Sequence, residues 1–187
     1  MAKRNNEYEF RLILDGPEDI DDDMIGRLLA AGCDDGLFGR SNGEIFAAFS
    51  REASSFEDAV ISAIKDINRA DIGVTGFRID NRDLVTQTDI ARRIGKTKQA
   101  VSRYVNGRNK VKGFPAPAVA SKDPLYQWAD VAEWLQKANL LDGDAAKTAE
   151  ERHAVQTALE FGRVARKYPE VVRKFGEMLN LPKVEVR

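Results

Sequence analysis

Apolar positions in the first eighty residues switch between a period of two and a period of three to four, and each switch predicts an element. Residues 8–14 alternate β-formers and aliphatics, predicting a strand that Asp15-Gly16-Pro17 ends. In residues 19–31, Ile20, Met24, Ile25, Leu28 and Leu29 recur at helical spacing. Asp21, Asp22 and Asp23 fall in that helix's first turn, where the macrodipole favours anions, and Gly32 marks its stop. Residues 37–40 and 44–51 flank Ser41-Asn42-Gly43, a hairpin signature, because Asn-Gly supplies the positive φ angles of a tight turn. Ser54 or Ser55 then caps a helix whose apolar face is Phe56, Ala59, Val60, Ala63, Ile64 and Ile67, and residues 73–79 form a last strand.

The order βαββαβ predicts the split βαβ, or ferredoxin-like, arrangement over residues 1–82, in which two helices cover one face of an antiparallel sheet. Phe10, Leu12 and Leu14 share one side of the first strand, and Ile45, Ala47 and Phe49 one side of the third. Phe46 and Ala48 make the other side apolar too, so a second covering surface is implied: the C-terminal helices, a twin sheet or a partner. Further on, Ile90, Ala91 and Ile94 mark a short helix with Thr86 or Thr88 as its cap. Gly95 interrupts it, and a second helix starts at Thr97 with Ala100, Val101 and Tyr104 inward. A helical pattern resumes at 145–167 and 170–179, broken at Tyr168-Pro169, with Val155, Ala158, Leu159, Phe161, Gly162 and Val164 as an apolar stripe. These two helices hold too little core to stand alone. The fold class is therefore α+β: a ferredoxin-like domain at 1–82, a mostly helical domain at 83–142, and a C-terminal helical hairpin at 143–187 that packs or dimerises.

Charge sharpens this division. Net charge is −1, yet residues 1–83 hold 10 Lys/Arg against 18 Asp/Glu, while residues 84–122 hold 9 basic residues and only Asp89. Two opposite fields that nearly cancel imply modules with different partners, and the positive one suits a phosphate backbone. One Cys and one His do not make a Cys/His zinc site or an internal disulfide. Three consecutive Asp point around a helix rather than at one ion, and Cys33 has no His near it in its module to act as a base. No catalytic residue, cofactor or metal is expected, and an enzyme reading of the ferredoxin-like module lacks both His/Cys chemistry and a phosphate-cradling glycine loop. No apolar run approaches the ~20 residues that span a bilayer. A cytoplasmic protein without membrane contact is the expectation.

In a helix-turn-helix a small residue at the fifth position lets the helices approach, a glycine at the ninth takes the turn, and an aliphatic at the fifteenth fills the shared core. Gln87, Ala91, Gly95 and Val101 stand at positions one, five, nine and fifteen. The segment resembles the phage-repressor type of helix-turn-helix. With Gly113-Phe114-Pro115-Ala116-Pro117, then Trp128, Val131 and Glu133-Trp134-Leu135 after it, about 60 residues resemble the winged DNA-binding domains of the excisionase, AlpA and MerR-like group. That resemblance implies a recognition helix in the major groove, a wing on adjacent backbone or minor groove, and Gln87 on a phosphate.

Helical geometry turns Thr97, Lys98, Gln99, Ser102 and Arg103 outward, with Asn106 at the end. Gln binds adenine and Arg binds guanine bidentately, whereas Thr97, Lys98 and Ser102 suit phosphate or adaptable contacts. Arg108, Lys110 and Lys112 add sequence-independent attraction, Arg92 and Lys96 join the expected DNA-binding set, and Phe114, Tyr126, Trp128 and Trp134 supply core area. The resulting expectation is a sequence-specific regulator of transcription, most simply a repressor, that binds double-stranded DNA through residues 97–104. It acts as a homodimer, because one such helix reaches only a half-site. The alternative is an antitoxin or adaptor whose acidic residues 1–82 hold a protein partner while the helix-turn-helix autoregulates its operon.

Overall fold

The computed structural model describes residues 6–80, 83–108 and 112–180. Its organising turn is at Asn42-Gly43, where φ values of 55° and 82° close a two-residue hairpin loop between β2 (Gly36–Ser41) and β3 (Glu44–Ala53). The turn fixes the register at Ser41↔Glu44, and β1 (Asn6–Asp15) lies antiparallel on the other side of β3. Phe10 then faces Phe49, Leu12 faces Ala47 and Leu14 faces Ile45. With β4 (Gly76–Ile79) antiparallel to β1, the sheet order is β2-β3-β1-β4.

Two helices, α1 (Asp22–Ala30) and α2 (Phe56–Ala70), complete the order β1-α1-β2-β3-α2-β4. Leu28 of α1 and Phe56, Ala59, Val60, Ala63 and Ile67 of α2 join Phe10, Leu12, Leu14, Ile45, Ala47 and Phe49 in one core. The Phe10 ring stacks on Phe49 at 5.4 Å and meets Phe56 edge-on at 5.8 Å. On the opposite face Ile13 is buried, and the Arg11 guanidinium covers Phe46, 3.6 Å from its ring centroid.

Element ends differ from the sequence expectation for local reasons. The first helix starts at Asp22 because Asp21 is its N-cap, accepting from the Met24 N–H at 2.8 Å, while the Asp19 carboxylate accepts from the Ile20 N–H outside the helix. Leu29, expected on the apolar face, is exposed. The last strand begins at Gly76 rather than Gly73, since Gly73 has φ 76° and Thr75 donates back to the Asp15 carbonyl at 2.8 Å.

A second small sheet pairs β5 (Leu84–Val85) with β6 (Tyr126–Gln127), antiparallel. Around it lie α3 (Gln87–Arg93), α4 (Lys98–Val105) and α5 (Trp128–Lys137), and then α6 (Gly143–Lys167) and α7 (Pro169–Met178) follow. The protein is thus α+β, with seven helices among the described residues. It divides into two compact units, Met1–Asn81 with Val155–Arg187, and Arg82–Ala154, the division falling inside α6. Ala146 and Ala149 of α6 pack on Ala132 in one unit; Val155 and Leu159 pack on the large core in the other. No residue of α7 is buried, so the expected C-terminal hairpin does not form a core of its own.

Among the described residues of the first unit, Arg51 is the strongly buried cation. Its guanidinium donates to Asp35 at 2.6 and 2.7 Å, to Asp66 at 2.8 Å, to Ser62 at 3.1 Å and to the Gly32 carbonyl at 3.1 Å. The Asp35 hydrogen bond, followed by Asp66, raises its pKa above the ordinary arginine value against the opposing effect of burial. Replacing Arg51 by Ala leaves the partly buried Asp35 without this cation and Asp66 held by Arg69. It should destabilise the unit by about 3 kcal/mol, read as a lowered urea midpoint by far-UV circular dichroism; an unchanged midpoint contradicts this role.

Candidate nucleic-acid interface

The site begins at a capping box. Thr86 caps α3: its hydroxyl accepts from the Asp89 N–H at 3.1 Å, and the Asp89 carboxylate accepts from the Thr86 N–H at 3.1 Å and hydroxyl at 2.7 Å. These two bonds, then Arg92 and Arg93, hold the Asp89 carboxyl below the usual range. Asp89 also pairs with Arg92. The only acid in the basic stretch is therefore spent on the fold of α3, and its negative charge is locally compensated.

Between the helices, Gly95 has φ 63°, and Lys96 donates to the Ala91 carbonyl at 2.9 Å, closing α3. Thr97 then caps α4 by accepting from the Ala100 N–H at 3.2 Å. Ile90, Ala91 and Val101 are buried with Val85, Tyr126, Val131, Trp134 and Leu135. Tyr104 packs 5.6 Å from the Trp134 ring, and Phe114 packs 4.9 Å from Trp134 and 5.6 Å from Tyr126. With that inner side fixed, Lys96, Thr97, Lys98, Gln99 and Arg103 are exposed, and Gln99 and Arg103 stand one turn apart on α4.

Other expected residues are placed differently. The Asn106 side-chain amide donates to the Ser102 carbonyl at 2.7 Å and to its hydroxyl at 3.3 Å, so both residues first serve to end α4. Lys112 is exposed, with its ammonium on the Gly107 carbonyl at 2.5 Å and its own carbonyl accepting from the Trp134 indole at 3.1 Å. Arg108 is exposed, and its N–H donates to the Arg103 carbonyl at 2.8 Å. Lys110 lies outside the described residues. Gln87 opens α3 and lines a recess of about 190 Å³ with Thr88, Lys98, Lys122, Asp123 and Pro124.

Two cations there escaped the sequence reading. Lys122 joins Gln87 and Lys98 at the recess, a meeting of segments 35 positions apart that no local pattern signals. Arg93 lies with its guanidinium 4.5 Å from the Trp128 ring centroid. Burial lowers the pKa of Arg93, while Asp83 and Asp89 oppose that shift. Tyr126 is buried and so unavailable for base stacking. His153, expected at the surface, shares a 2.9 Å hydrogen bond with the Gln127 side chain.

Outside this unit the candidate chemistry is sparse. The Cys33 thiol is buried, and burial followed by Asp66 pushes it up to about 11, away from a nucleophilic thiolate. Among the described residues no His/Cys/Asp/Glu group is arranged to hold a metal ion, and no helix is long and apolar enough to cross a membrane. No family model matches the chain, and no curated protein or solved structure matches it either.

Two outcomes follow from the turn and its cap. A Cβ at Gly95 meets no atom within 4 Å, so backbone angle alone sets the cost of substitution. Gly95→Ala should lose about 1 to 2 kcal/mol, and Gly95→Asn clearly less, because Asn tolerates the left-handed region. Urea titration of tryptophan fluorescence reads this unit, since Trp128 and Trp134 both lie in it; equal losses for the two variants would remove backbone strain as the cause. For Asp89, a folded pKa below its unfolded value means that its stabilisation is present above about pH 4 and is lost as pH falls through the folded value. Asp89→Asn should therefore flatten the acid limb of the fluorescence stability curve; an unaltered limb would contradict the capping-box role.

Proposed function

We propose that the chain is a sequence-specific regulator of transcription, acting in the cytoplasm as a repressor that binds double-stranded DNA through α4 in the major groove. The observation that carries the reading is the outward face of α4 and its approach, Lys96, Thr97, Lys98, Gln99 and Arg103, exposed over an inner side packed on Trp134. Gln99 and Arg103 are the base readers, since their side chains match the paired acceptor and donor edges of adenine and guanine. Lys96, Lys98, Arg92, Arg108, Lys112 and Lys122 supply backbone attraction, with Gln87 beside Lys98 on a neighbouring phosphate.

The segment folds as a winged helix-turn-helix in this reading. Gly95 at the turn, the β5–β6 pair and the Val119↔Leu125 bridge support it, the last two supplying the stem of a wing. The first unit is ferredoxin-like, as its element order and its strand order β2-β3-β1-β4 support. A single recognition helix covers one half-site, so the regulator works as a homodimer on a two-fold operator.

If about six phosphates are neutralised, raising salt from roughly 50 to 200 mM should weaken binding about a thousandfold. Arg103→Ala and Gln99→Ala should each cost about 1 to 3 kcal/mol on the preferred site and relax discrimination there, whereas Arg108→Ala should weaken all duplexes alike. Selection of bound genomic fragments followed by footprinting and titration checks both. No duplex bound at low salt, or affinity indifferent to salt, sinks the proposal; uniform weakening by Arg103→Ala relocates the reading helix.

A further inference from the structure

The helix α7 carries a stripe of large apolar groups that nothing among the described residues covers. Tyr168 at its N-cap, Val171, Phe175, Met178 and Leu179 at its C-cap are each between 50 and 64% exposed. They recur at the three- and four-residue intervals that place side chains on one helix face. The opposite side is held by an ion-paired ladder, with Arg173 bonded to Glu170 at 2.8 Å and to Glu177 at 2.9 Å. An isolated helix of 10 residues is marginal in water, and without a buried residue α7 draws little packing energy from the described residues of its chain.

We propose that this face is the interface with a second copy of the same chain, the two α7 helices pairing antiparallel about a two-fold axis. Three features select this occupant. Tyr168, Val171, Phe175 and Met178 are spaced three, four and three apart, a pattern that reads the same in both directions. An antiparallel copy therefore sets Tyr168 against the partner's Met178 and Val171 against the partner's Phe175, as an isologous interface requires. At half exposure the stripe offers on the order of 100 Å² per large side chain, or about 1,000 Å² for the pair when all of it is covered, the floor for a specific interface.

The third feature is charge. Glu170 and Glu177 balance Arg173 and Lys174, so the polar side of α7 is neutral. Helices that lie in anionic membrane surfaces carry a basic polar side instead. Antiparallel pairing also opposes the two helix dipoles favourably. The proposal stands on α7 itself and rests on the DNA-binding reading only for its second readout.

The test is mass by light scattering across micromolar concentrations on the full chain, for wild type, Phe175→Glu, Met178→Glu and the control Leu37→Glu, whose site on β2 is exposed in the first unit. Wild type and Leu37→Glu should weigh twice the single chain, and both α7 variants should dissociate at least on the order of a hundredfold more readily. Circular dichroism should show all four folded, since neither α7 side chain is buried. A monomeric wild type, α7 variants that stay dimeric, or a monomer that floats with phosphatidylserine vesicles would each overturn the interface. Titration of a half-site and a full two-fold site separates the two proposals. A dimer that binds no duplex leaves the interface standing and removes the DNA reading, whereas a wild-type monomer that binds a half-site does the reverse.

Discussion

The Trp134 indole is the contact on which the second unit depends. It touches α4 through Tyr104, the following loop through Phe114 and the Lys112 carbonyl, and it belongs to α5. A unit of about 70 residues has little apolar surface to spare, and here much of what it has is gathered in this ring and its neighbours Phe114 and Tyr126. The indole N–H is satisfied by the Lys112 carbonyl, so its burial leaves no donor unpaired. Because α4 is pinned from beneath, its upper side is free to be all polar without loss of order. A short helix whose outer side is Lys98, Gln99 and Arg103 would otherwise have little reason to hold one geometry.

The first unit solves the opposite problem, since its strain on stability comes from a buried charge. Arg51 answers it with several acceptors drawn from separate segments: Asp35 before β2, Asp66 and Ser62 on α2, and the Gly32 carbonyl after α1. A guanidinium with every donor direction answered is specific in geometry where an aliphatic residue of equal size would not be. It ties the α1–β2 connection to α2 across the end of β3. Asp66 is itself shared with Arg69, which also reaches the Ala31 carbonyl at 2.9 Å, so two cations and two acids close that corner.

What could be read from sequence was whatever is encoded within a few positions. Asn42-Gly43 announced its hairpin because only residues at ease with positive φ fit both central sites. The stripe of α2 announced its buried side, and Phe56, Ala59, Val60, Ala63 and Ile67 are all in the core. The start of α1 was misplaced because Asp19 and Asp21 have the same capping chemistry, and only geometry tells which meets a free helical N–H. The Arg51 cluster joins residues 11 to 19 apart, and Lys122 meets Gln87 and Lys98 across a loop; neither has a period to detect. Asn106 and Ser102 looked outward on a helical wheel, which does not register that two polar side chains one turn apart can bond to each other at a helix end. The C-terminal stripe read from Val155, Ala158, Leu159, Phe161, Gly162 and Val164 lies on α6, and the apolar residues of α7 were not singled out; periodicity says which side of a helix is oily and not what covers it.

Charge segregation has a further consequence for how such a chain meets a polyanion. The net charge of −1 describes neither part, because 9 basic residues against one acid occupy 39 consecutive positions while the preceding 83 are acidic by 18 to 10. At physiological salt the Debye length is about 8 Å, so exposed charges farther apart than that act almost independently. A polyanion within that distance of α4 would meet the exposed Lys96, Lys98 and Arg103. Within the basic stretch, Asp89 pairs with Arg92 and holds the capping box of α3 with Thr86, so its charge is spent on the helix start. In the first unit Asp21, Asp22 and Asp23 at the start of α1 and Glu57 and Asp58 at the start of α2 stand where the macrodipole stabilises negative charge.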